Sequence, residues 1–470
     1  MIRVIGSKPP IKCTTMNAQR DLVSKYSRQA PRYTSYPSAL HFEMITGTDR
    51  AISHIIDRND TPRALSIYIH IPFCASLCWY CGCTKVITRR QGDSRSYLDR
   101  MYAEMERMSK IMHSGNRVVQ LHFGGGTPTF LTPDELREVG RRIRSYFHCD
   151  DTMEFAVEID PRRLTRDHVS ALAEIGCNRA SIGVQDVRDD VQQAINRIQP
   201  MSVNKQVVGW LREAGIRSIN VDLIYGLPFQ TRHSFESTLN AVKTLDPDRF
   251  AIFNYAHVPW MMPSQKLLDR HPMPDAHEKF TMLEMMIDHL TRSGYDYIGM
   301  DHFAKIDDEL AVARRNGTLQ RNFQGYSTRS ETDIYGFGMS SISQIGNAYL
   351  QSVKDLDTYN SRIDNDDFPY YRHYYLTQDD RIRRHTIMRL MCDLEIDFGK
   401  IGEHWNLDAT GYFSDAMVKL EELASDRLIL WSANGFRVTP AGRLFLRNIA
   451  TAFDAYLNVS GKTDRYSKTV

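Results

Sequence analysis

Short apolar runs rich in β-branched residues alternate with longer amphipathic segments between residues 64 and 300. The short runs predict strands at 65–71, 118–123, 155–159, 179–184, 218–224, 250–255 and 297–300. The longer segments have helical spacing and predict helices at 96–111, 133–146, 166–175, 202–214 and 234–245. Strands and helices that alternate in this order are typical of parallel βα units.

Unusual polar and glycine-rich motifs overlap or follow the ends of these predicted strands. They read HIPFCASLCWYCGC, GGGTPT, EIDP, GVQD, DLIYGLP and NYAH. In a βα barrel the carboxyl ends of all strands open on one face, where catalytic loops gather. An isolated turn would explain the Gly and Pro of any one motif but not their recurrence, so the sequence predicts a shared active face.

The remaining chain divides by pattern into two flanking regions. We expect an N-terminal extension at 1–63, an α/β partial barrel at 64–365 and a mostly helical C-terminal domain at 366–470. In the last region a helix at 379–392, a hairpin at 428–431 and 435–438, and a helix at 439–457 are similar to a winged helix. That shape alone does not imply DNA binding.

Composition narrows the class of protein. The 470 residues carry a formal net charge of +2, which argues against nucleic acid as a general partner. No apolar run approaches the ~20 residues needed to span a membrane, and the first 20 residues lack the apolar stretch of a signal peptide. We therefore expect a cytoplasmic protein with neither a membrane span nor a nucleic-acid partner.

Four of the eight cysteines fall within ten residues, as Cys74, Cys78, Cys81 and Cys83. Clustered thiols in a cytosolic chain of this length favour metal or redox chemistry over disulfides. Zinc is one alternative, with Cys83 and His70 completing its ligands, although structural zinc sites usually use two separated pairs. A 4Fe-4S cluster held by three thiolates is the other, and it would leave one iron open to a further ligand.

The C-x3-C-x2-C spacing directly after the first predicted strand resembles the signature of the radical S-adenosylmethionine (SAM) superfamily. That resemblance implies a 4Fe-4S cluster on Cys74, Cys78 and Cys81. It also implies that SAM binds the open iron and is cleaved by an electron from the cluster to a 5′-deoxyadenosyl radical. The motif indicates the chemistry but not the substrate.

The order of further motifs is similar to that of the oxygen-independent coproporphyrinogen III oxidases, from PRYTSYP to the C-terminus. The shared stretches include LHFGGGTPT, VEIDPR, SIGVQD, NVDLIYGLP, GMDHFA, RNFQGY, TDIYGFGMSSIS and TPAGRLFLRNI. The resemblance implies that two propionates of coproporphyrinogen III lose carbon dioxide and become vinyl groups, which gives protoporphyrinogen IX for haem. It further implies an electron donor and an electron acceptor, neither identified, and a monomer.

The same resemblance assigns SAM contacts by position and implies two SAM molecules. The first would contact Tyr68, Tyr80, Gly125, Glu158, Ala256 and Ile342. The second would contact Gly126, Thr127, Gln185, Arg197 and Asp222. Cys83 takes a supporting role, since a fourth thiolate would displace SAM from the iron.

Several residues and functions stay open at this point. Asp301 and His302 are either an acid and base pair or a structural pair, and Gly336-x-Gly338 is interpreted as a turn. Binding of the substrate carboxylates requires Arg or Lys side chains in paired geometry. The candidates for these cations include Arg32, Arg321 and Lys305. The alternative functions are a haem-binding chaperone of the same family, a radical methylase acting on a tetrapyrrole, and a regulatory metal protein that binds DNA through Arg443 and Arg447.

Overall fold

The structure is a computed structural model that describes residues 16–329, 332–460 and 466–469. The strands are β1 Glu43–Met44, β2 Ala64–Ile71, β3 Phe73–Cys74, β4 Val86–Ile87, β5 Arg117–Gly125, β6 Cys149–Ile159, β7 Arg179–Gln185, β8 Ser218–Tyr225, β9 Arg249–Asn254, β10 Tyr295–Gly299, β11 His302–Lys305, β12 Gln320–Asn322, β13 Gly325–Ser327, β14 Asp333–Phe337, β15 Ile342–Ile345, β16 Ala348–Ser352, β17 Tyr370–Tyr375, β18 Glu395–Asp397, β19 Ile429–Ser432 and β20 Gly435–Val438.

The helices are α1 Met16–Tyr26, α2 Asp49–Ile56, α3 Gly92–Ile111, α4 Pro133–Tyr146, α5 Arg166–Glu174, α6 Asp189–Ala194, α7 Met201–Glu213, α8 Arg232–Lys243, α9 Ala276–Arg292, α10 Glu309–Arg315, α11 Leu356–Asp364, α12 Gln378–Asp393, α13 Phe398–Trp405, α14 Ala409–Tyr412, α15 Ser414–Ser425, α16 Leu446–Ala450 and α17 Ala455–Ser460. Short 3₁₀ helices lie at Ala39–His41, Pro128–Phe130, Pro161–Arg163, Pro263–Arg270, Gly442–Phe445 and Thr451–Phe453.

One 13-stranded sheet organises the described part of the chain, in the order β1-β17-β16-β15-β14-β2-β5-β6-β7-β8-β9-β11-β10. Its centre, from β14 to β9, is parallel throughout, and antiparallel strands extend it on both sides. The described order is open, with β1 at one edge and β10 at the other. The predicted fold class, a partial βα barrel with a mostly helical C-terminal region, is confirmed.

The alternation of side chains along β2 shows how the sheet separates core from site. Ile67, Ile69 and Ile71 are fully buried on one face, while Tyr68 and His70 lie on the other face and line the central cavity. Burying three isoleucines contributes about 5–9 kcal/mol of hydrophobic free energy before the entropy cost of ordering the chain. The helix-facing side of the strands therefore stabilises the fold and leaves the inner face free for function.

The structure differs from the sequence prediction at several places. Gly336 lies within β14 and pairs with Tyr68 of β2, so the prediction of a turn is wrong at this residue. The turn begins at Gly338. The antiparallel strands β15 to β17 were not predicted. The helix expected at 439–457 is a series of short 3₁₀ and α-helical pieces, because Asp454 adopts an extended backbone (φ −89°, ψ 106°) that interrupts it.

The N-terminal extension and the C-terminal region pack on each other. β1 pairs with β17 at the sheet edge, and we propose that β17 belongs to the C-terminal domain at 366–470. The buried Arg447 guanidinium donates hydrogen bonds to the carbonyls of Pro31 (3.2 Å), Lys468 (2.9 Å) and Ala30. Arg443 likewise lies against the Tyr297 ring, 4.4 Å from its centroid. Neither arginine is free to contact DNA, so the structure does not support the DNA-binding alternative.

Among the described residues, no helix is both long and apolar enough to cross a membrane.

We predict that Arg447→Met lowers the free energy of unfolding by about 2–3 kcal/mol, since it removes charged hydrogen bonds and leaves buried carbonyls without a donor. The measurement is urea unfolding followed by fluorescence, together with trypsin cleavage near residues 28–37. Arg437→Met is the matched control, because Arg437 is 76% exposed and pairs with Glu395 at 3.2 Å. This exposed pair contributes only about 0–1 kcal/mol. Equal losses of unfolding free energy in both variants would contradict this role of the Arg447 hydrogen bonds.

Candidate active site

A cavity of about 1140 Å³ lies inside the curved parallel sheet. Its lining includes thirteen of the fourteen site residues expected from the resemblance: Tyr68, Cys74, Cys78, Tyr80, Cys81, Gly125, Gly126, Thr127, Glu158, Gln185, Arg197, Asp222 and Ile342. Ala256 is the exception; it follows β9 beyond Tyr255 and is half-buried outside the cavity lining. The strand ends thus bring together residues that are up to 274 positions apart in the chain.

The loop that carries the cysteines, residues 74–83, is closed by a short parallel ladder. β3 pairs with β4 at its base, so that the chain leaves and returns at the same point. Further along, the Trp79 amide donates to the Ile195 carbonyl (3.0 Å) and the Gln265 side chain donates to the Tyr80 carbonyl (2.9 Å). The loop is therefore fixed from two sides before any ligand binds.

Each of the three predicted cluster ligands has a different polar neighbour. Cys74 Sγ lies 3.4 Å from Thr127 Oγ1, and burial raises the pKa of its thiol to about 11. A hydrogen bond from Cys83 lowers the pKa of Cys81. Metal binding deprotonates thiols and overrides such shifts, so the environments matter mainly for assembling the site.

Cys78 faces two guanidinium groups. Arg162 Nη2 lies 3.5 Å and Arg197 Nη1 3.6 Å from its sulfur. Both arginines also donate to Asp160, at 2.6 and 3.1 Å. Although burial disfavours the charged carboxylate, Arg197 and Arg162 lower the pKa of Asp160 to about 2. The set is ionised at neutral pH and places net positive charge beside the cysteine loop.

The residues fit a cluster better than a single zinc ion. His70, proposed as a zinc ligand, has both ring nitrogens engaged, Nδ1 with the Tyr68 hydroxyl (3.1 Å) and Nε2 with the Thr84 carbonyl (3.2 Å). In the described part of the chain, no group of three or more His, Cys, Asp or Glu side chains converges as ligands of one ion would. A tetrahedral ion requires such convergence, whereas an iron-sulfur cluster keeps its thiolates apart on separate irons.

His70 also orients Tyr68 in the cavity wall. Burial lowers the pKa of His70 to about 4, so the ring is neutral at physiological pH. Nε2 must carry its proton to donate to the Thr84 carbonyl, and Nδ1 then accepts from the Tyr68 hydroxyl. The Tyr68 ring stacks on His122 at a centroid distance of 5.8 Å. Both contacts hold Tyr68 in one position.

The glycines after β5 let the strand end pass against the cysteine loop. Gly125 has a φ of +118°, which side chains rarely adopt. A Cβ on Gly126 would lie 2.4 Å from the Pro72 carbonyl oxygen, two residues before Cys74. Only glycine permits this approach, which sets the position of Thr127 relative to Cys74.

Two carboxyl groups also line the cavity. Glu158 accepts from the Gly125 amide (3.2 Å) and contacts His122 Nε2 (3.3 Å). Asp222 accepts from Ser181 (2.8 Å) and Asn220 (2.7 Å). Burial, opposed by the Ser181 hydrogen bond, raises the pKa of Asp222 to about 7. At neutral pH the cavity thus holds one carboxyl group near its titration point.

Some cavity residues were missed by sequence reasoning and others were misplaced. Phe323, Gln324, Tyr326 and Ser340 line the cavity from segments flanking β12 to β15, and their only sequence signal was the resemblance of RNFQGY and TDIYGFGMSSIS. The candidate substrate cations Arg32, Arg321 and Lys305 lie outside this lining. Each is engaged elsewhere: Arg32 pairs with Asp301, Arg321 donates to Tyr33 O (3.2 Å), and Lys305 pairs with Asp246 (2.9 Å).

Comparisons with known proteins show the family of this chain. The model of the radical SAM superfamily matches residues 68–242, and that of the HemN C-terminal domain matches residues 376–445. The chain is 42% identical over 458 residues to the oxygen-independent coproporphyrinogen III oxidase of Pseudomonas aeruginosa, covering 97% of this chain and 99% of that protein. It is 41% identical to the Escherichia coli K12 enzyme, covering 96% and 98%.

The chain belongs to the oxygen-independent coproporphyrinogen III oxidases. The solved structure of the Escherichia coli family member, a radical SAM enzyme, superposes with a TM-score of 0.87 at 40% identity, covering 93% of this chain and 98% of that one. Membership in this radical SAM family implies a 4Fe-4S cluster and SAM. The family match and the His70 contacts both favour the cluster over the zinc alternative.

We predict that Gly126→Ala displaces the cysteine loop, because the added Cβ overlaps the Pro72 carbonyl. Misplacement by about 1 Å reduces catalysis by about a hundredfold, so SAM cleavage should fall by that order while iron and sulfide per chain also decrease. Gly209→Ala in α7 is the matched control, since its Cβ meets nothing within 4 Å. Wild-type cleavage and iron content in Gly126→Ala would show that the close approach has no role.

Proposed function

We propose that this chain converts two propionates of coproporphyrinogen III into vinyl groups with loss of carbon dioxide, giving protoporphyrinogen IX for haem synthesis. The observation that carries the proposal is the three-cysteine loop at the mouth of the cavity, in a chain similar over 97% of its length to enzymes of that name. The hydrogen removed is on an unactivated carbon and is not acidic, so a base alone cannot start the reaction.

Cys74, Cys78 and Cys81 would hold the cluster. When bound, the cluster and SAM together supply a carbon-centred radical able to remove that hydrogen atom. Arg162 and Arg197 donate toward Cys78 and place positive charge beside the cluster, which favours its reduced, more negative state. Cys83 stays outside the ligand set and supports Cys81 through their hydrogen bond.

We propose that the first SAM contacts Tyr68, Tyr80, Gly125, Glu158, Ala256 and Ile342. Glu158 has no cationic partner among the described residues other than the His122 ring, so its carboxylate can accept from a ligand. Tyr68 is already oriented by His70. Ala256 is the weakest of these assignments, because its side chain lies outside the cavity lining.

We propose that a second SAM contacts Gly126, Thr127, Gln185, Arg197 and Asp222. Gly126, Thr127, Gln185 and Asp222 lie on or after strands β5, β7 and β8, and Arg197 follows α6. Gln185 is held in the left-handed region (φ 68°), and a Cβ on Gly183 would meet its Nε2 at 2.7 Å. The backbone therefore presents the Gln185 amide to the cavity at the cost of local strain.

Each decarboxylation requires one electron to cleave SAM and releases one electron from the substrate after the hydrogen atom is removed. The enzyme therefore works with an electron donor and an electron acceptor, whose identities we leave open. We also propose that it acts as a monomer in the cytoplasm. The haem-binding chaperone and the tetrapyrrole methylase remain the competing functions, and product analysis separates all three.

The decisive test is an anaerobic assay of reconstituted protein with SAM, dithionite and coproporphyrinogen III. We expect protoporphyrinogen IX and one methionine released per vinyl group formed. Cys78→Ala should lose most of its iron and all vinyl formation. Cys149→Ala, a half-buried cysteine at the start of β6 outside the cavity, should retain both. Tight haem binding without vinyl formation would support the chaperone, and a methylated product would support the methylase.

The raised pKa of Asp222 predicts that the affinity for the second SAM depends on pH. Since the pKa of Asp222 is raised to about 7, its carboxyl group is neutral below that pH and anionic above it. An anion binds the cationic sulfonium and amino groups of SAM better, so affinity for the second SAM should rise by about tenfold from pH 6 to pH 8.

Equilibrium dialysis with labelled SAM measures both stoichiometry and affinity. Asp222→Asn should bind the second molecule weakly and without this pH dependence, while first-site binding stays unchanged. One SAM per chain at every pH would contradict the second site. A pH-independent second affinity in the wild type would contradict the role of Asp222.

A further inference from the structure

Six cationic side chains line the central cavity, and four of them form ion pairs within the protein. Arg162 and Arg197 pair with Asp160 (2.6 and 3.1 Å), Arg179 with Glu309 (2.6 Å) and Arg249 with Asp308 (2.8 Å). These four are committed to the fold or to the surroundings of the cysteine loop. A ligand with several carboxylates needs cations that are not already paired.

The two remaining cavity cations are Lys85 and Arg163, and neither has a carboxylate partner in the described ranges of the chain. Arg163 ends the 3₁₀ turn after β6, and its side chain is exposed. Lys85 Nζ donates only to the carbonyls of Cys81 (3.4 Å) and Cys83 (3.2 Å). Carbonyl oxygens are neutral, so Lys85 lies beside the cysteine loop without an ion pair to a carboxylate.

Their placement suits a ligand that lies over the mouth of the cavity. Lys85 follows the cysteine loop at the end of β2, and Arg163 follows the end of β6. β5 lies between these strands, so the two strand ends are separated by about 10 Å. The glycines after β5 lie between them. Two cations that line the same cavity after separate strands can contact two carboxylates of one wide ligand.

We propose that Lys85 and Arg163 bind propionate carboxylates of the tetrapyrrole substrate at the mouth of the cavity. The proposal rests on the proposed function and extends it by naming the carboxylate-binding residues. The substrate carries four propionates, of which two remain unreacted and can stay bound while the others react. Lys85 lies next to the cysteine loop and would bind a propionate on that side of the substrate. Arg163 would bind a second propionate on the other side, beyond the glycines of β5.

The methionine carboxylate of SAM is the other source of the same ligand chemistry. The first SAM would bind the open iron and its carboxylate would be occupied there, which leaves that of the second SAM to compete. The variants Arg163→Gln, Lys85→Gln and their combination distinguish the two sources. Separate titrations of substrate and of SAM give the KM for each.

We expect each single variant to raise the KM for coproporphyrinogen III by about tenfold, the loss of one charge-assisted hydrogen bond. kcat, iron content and the KM for SAM should change little, and Arg163→Lys should restore most of the affinity. Arg166→Gln is the matched control, because Arg166 is an exposed arginine three residues further on that pairs with Glu213 (2.5 Å) and lies outside the cavity lining.

Binding of the stable fluorescent porphyrin coproporphyrin III tests the same contact without turnover. We expect wild type and Arg166→Gln to bind it equally and Arg163→Gln about tenfold more weakly. Unchanged binding and KM in Arg163→Gln, or a raised KM for SAM alone, would overturn the proposal. If Lys85→Gln contains less iron than wild type, its KM no longer reports substrate binding alone. The Arg163 variants then test the proposal. Absence of vinyl product from wild type, with porphyrin binding still dependent on Arg163, would count against the proposed reaction only.

Discussion

The active site depends on charge that is buried together beside the cysteine loop. Asp160 accepts from Arg162 and Arg197, and both guanidinium groups also reach Cys78. Removing one partner of such a set would leave an uncompensated buried charge, which costs about 3–5 kcal/mol. Because Asp160 follows β6 and Arg197 follows α6, this set joins two parts of the barrel to the loop. The position of Cys78 is thus determined by the fold and not by the loop alone.

The sheet order brings distant segments to the same cavity wall. β14 returns to pair in parallel with β2, and the turn that follows brings Ser340 within 3.2 Å of His70. Gly338 donates its amide to the buried Glu104 (2.9 Å), and Glu104 also accepts from Tyr359 (2.6 Å). The wall beside the cysteine loop is therefore supported from behind by helices α3 and α11.

Sequence patterns predicted the parallel strands β2 and β5 to β9, because each carries a β-branched run followed or overlapped by an unusual motif. β14 was missed, since it is a five-residue strand with a central glycine, DIYGF, and a glycine-containing stretch of this length also suits a turn. The cysteine spacing and the family motifs identified most of the cavity lining. Pairing of charges could not be predicted, because Arg179 and Glu309 are 130 residues apart and meet only through the strand order.

The same pairing of charges gives the cavity two different ends. At the amino ends of β7 and β9, Arg179 and Arg249 both contact Glu309, and a separate polar cavity of about 750 Å³ lies beside them. These arginines are paired with carboxylates, whereas Lys85 and Arg163 line the cavity without a carboxylate partner among the described residues. A polyanionic ligand is therefore favoured at the end that carries the cysteines. Under the proposed function, the substrate and the radical chemistry would therefore share this opening.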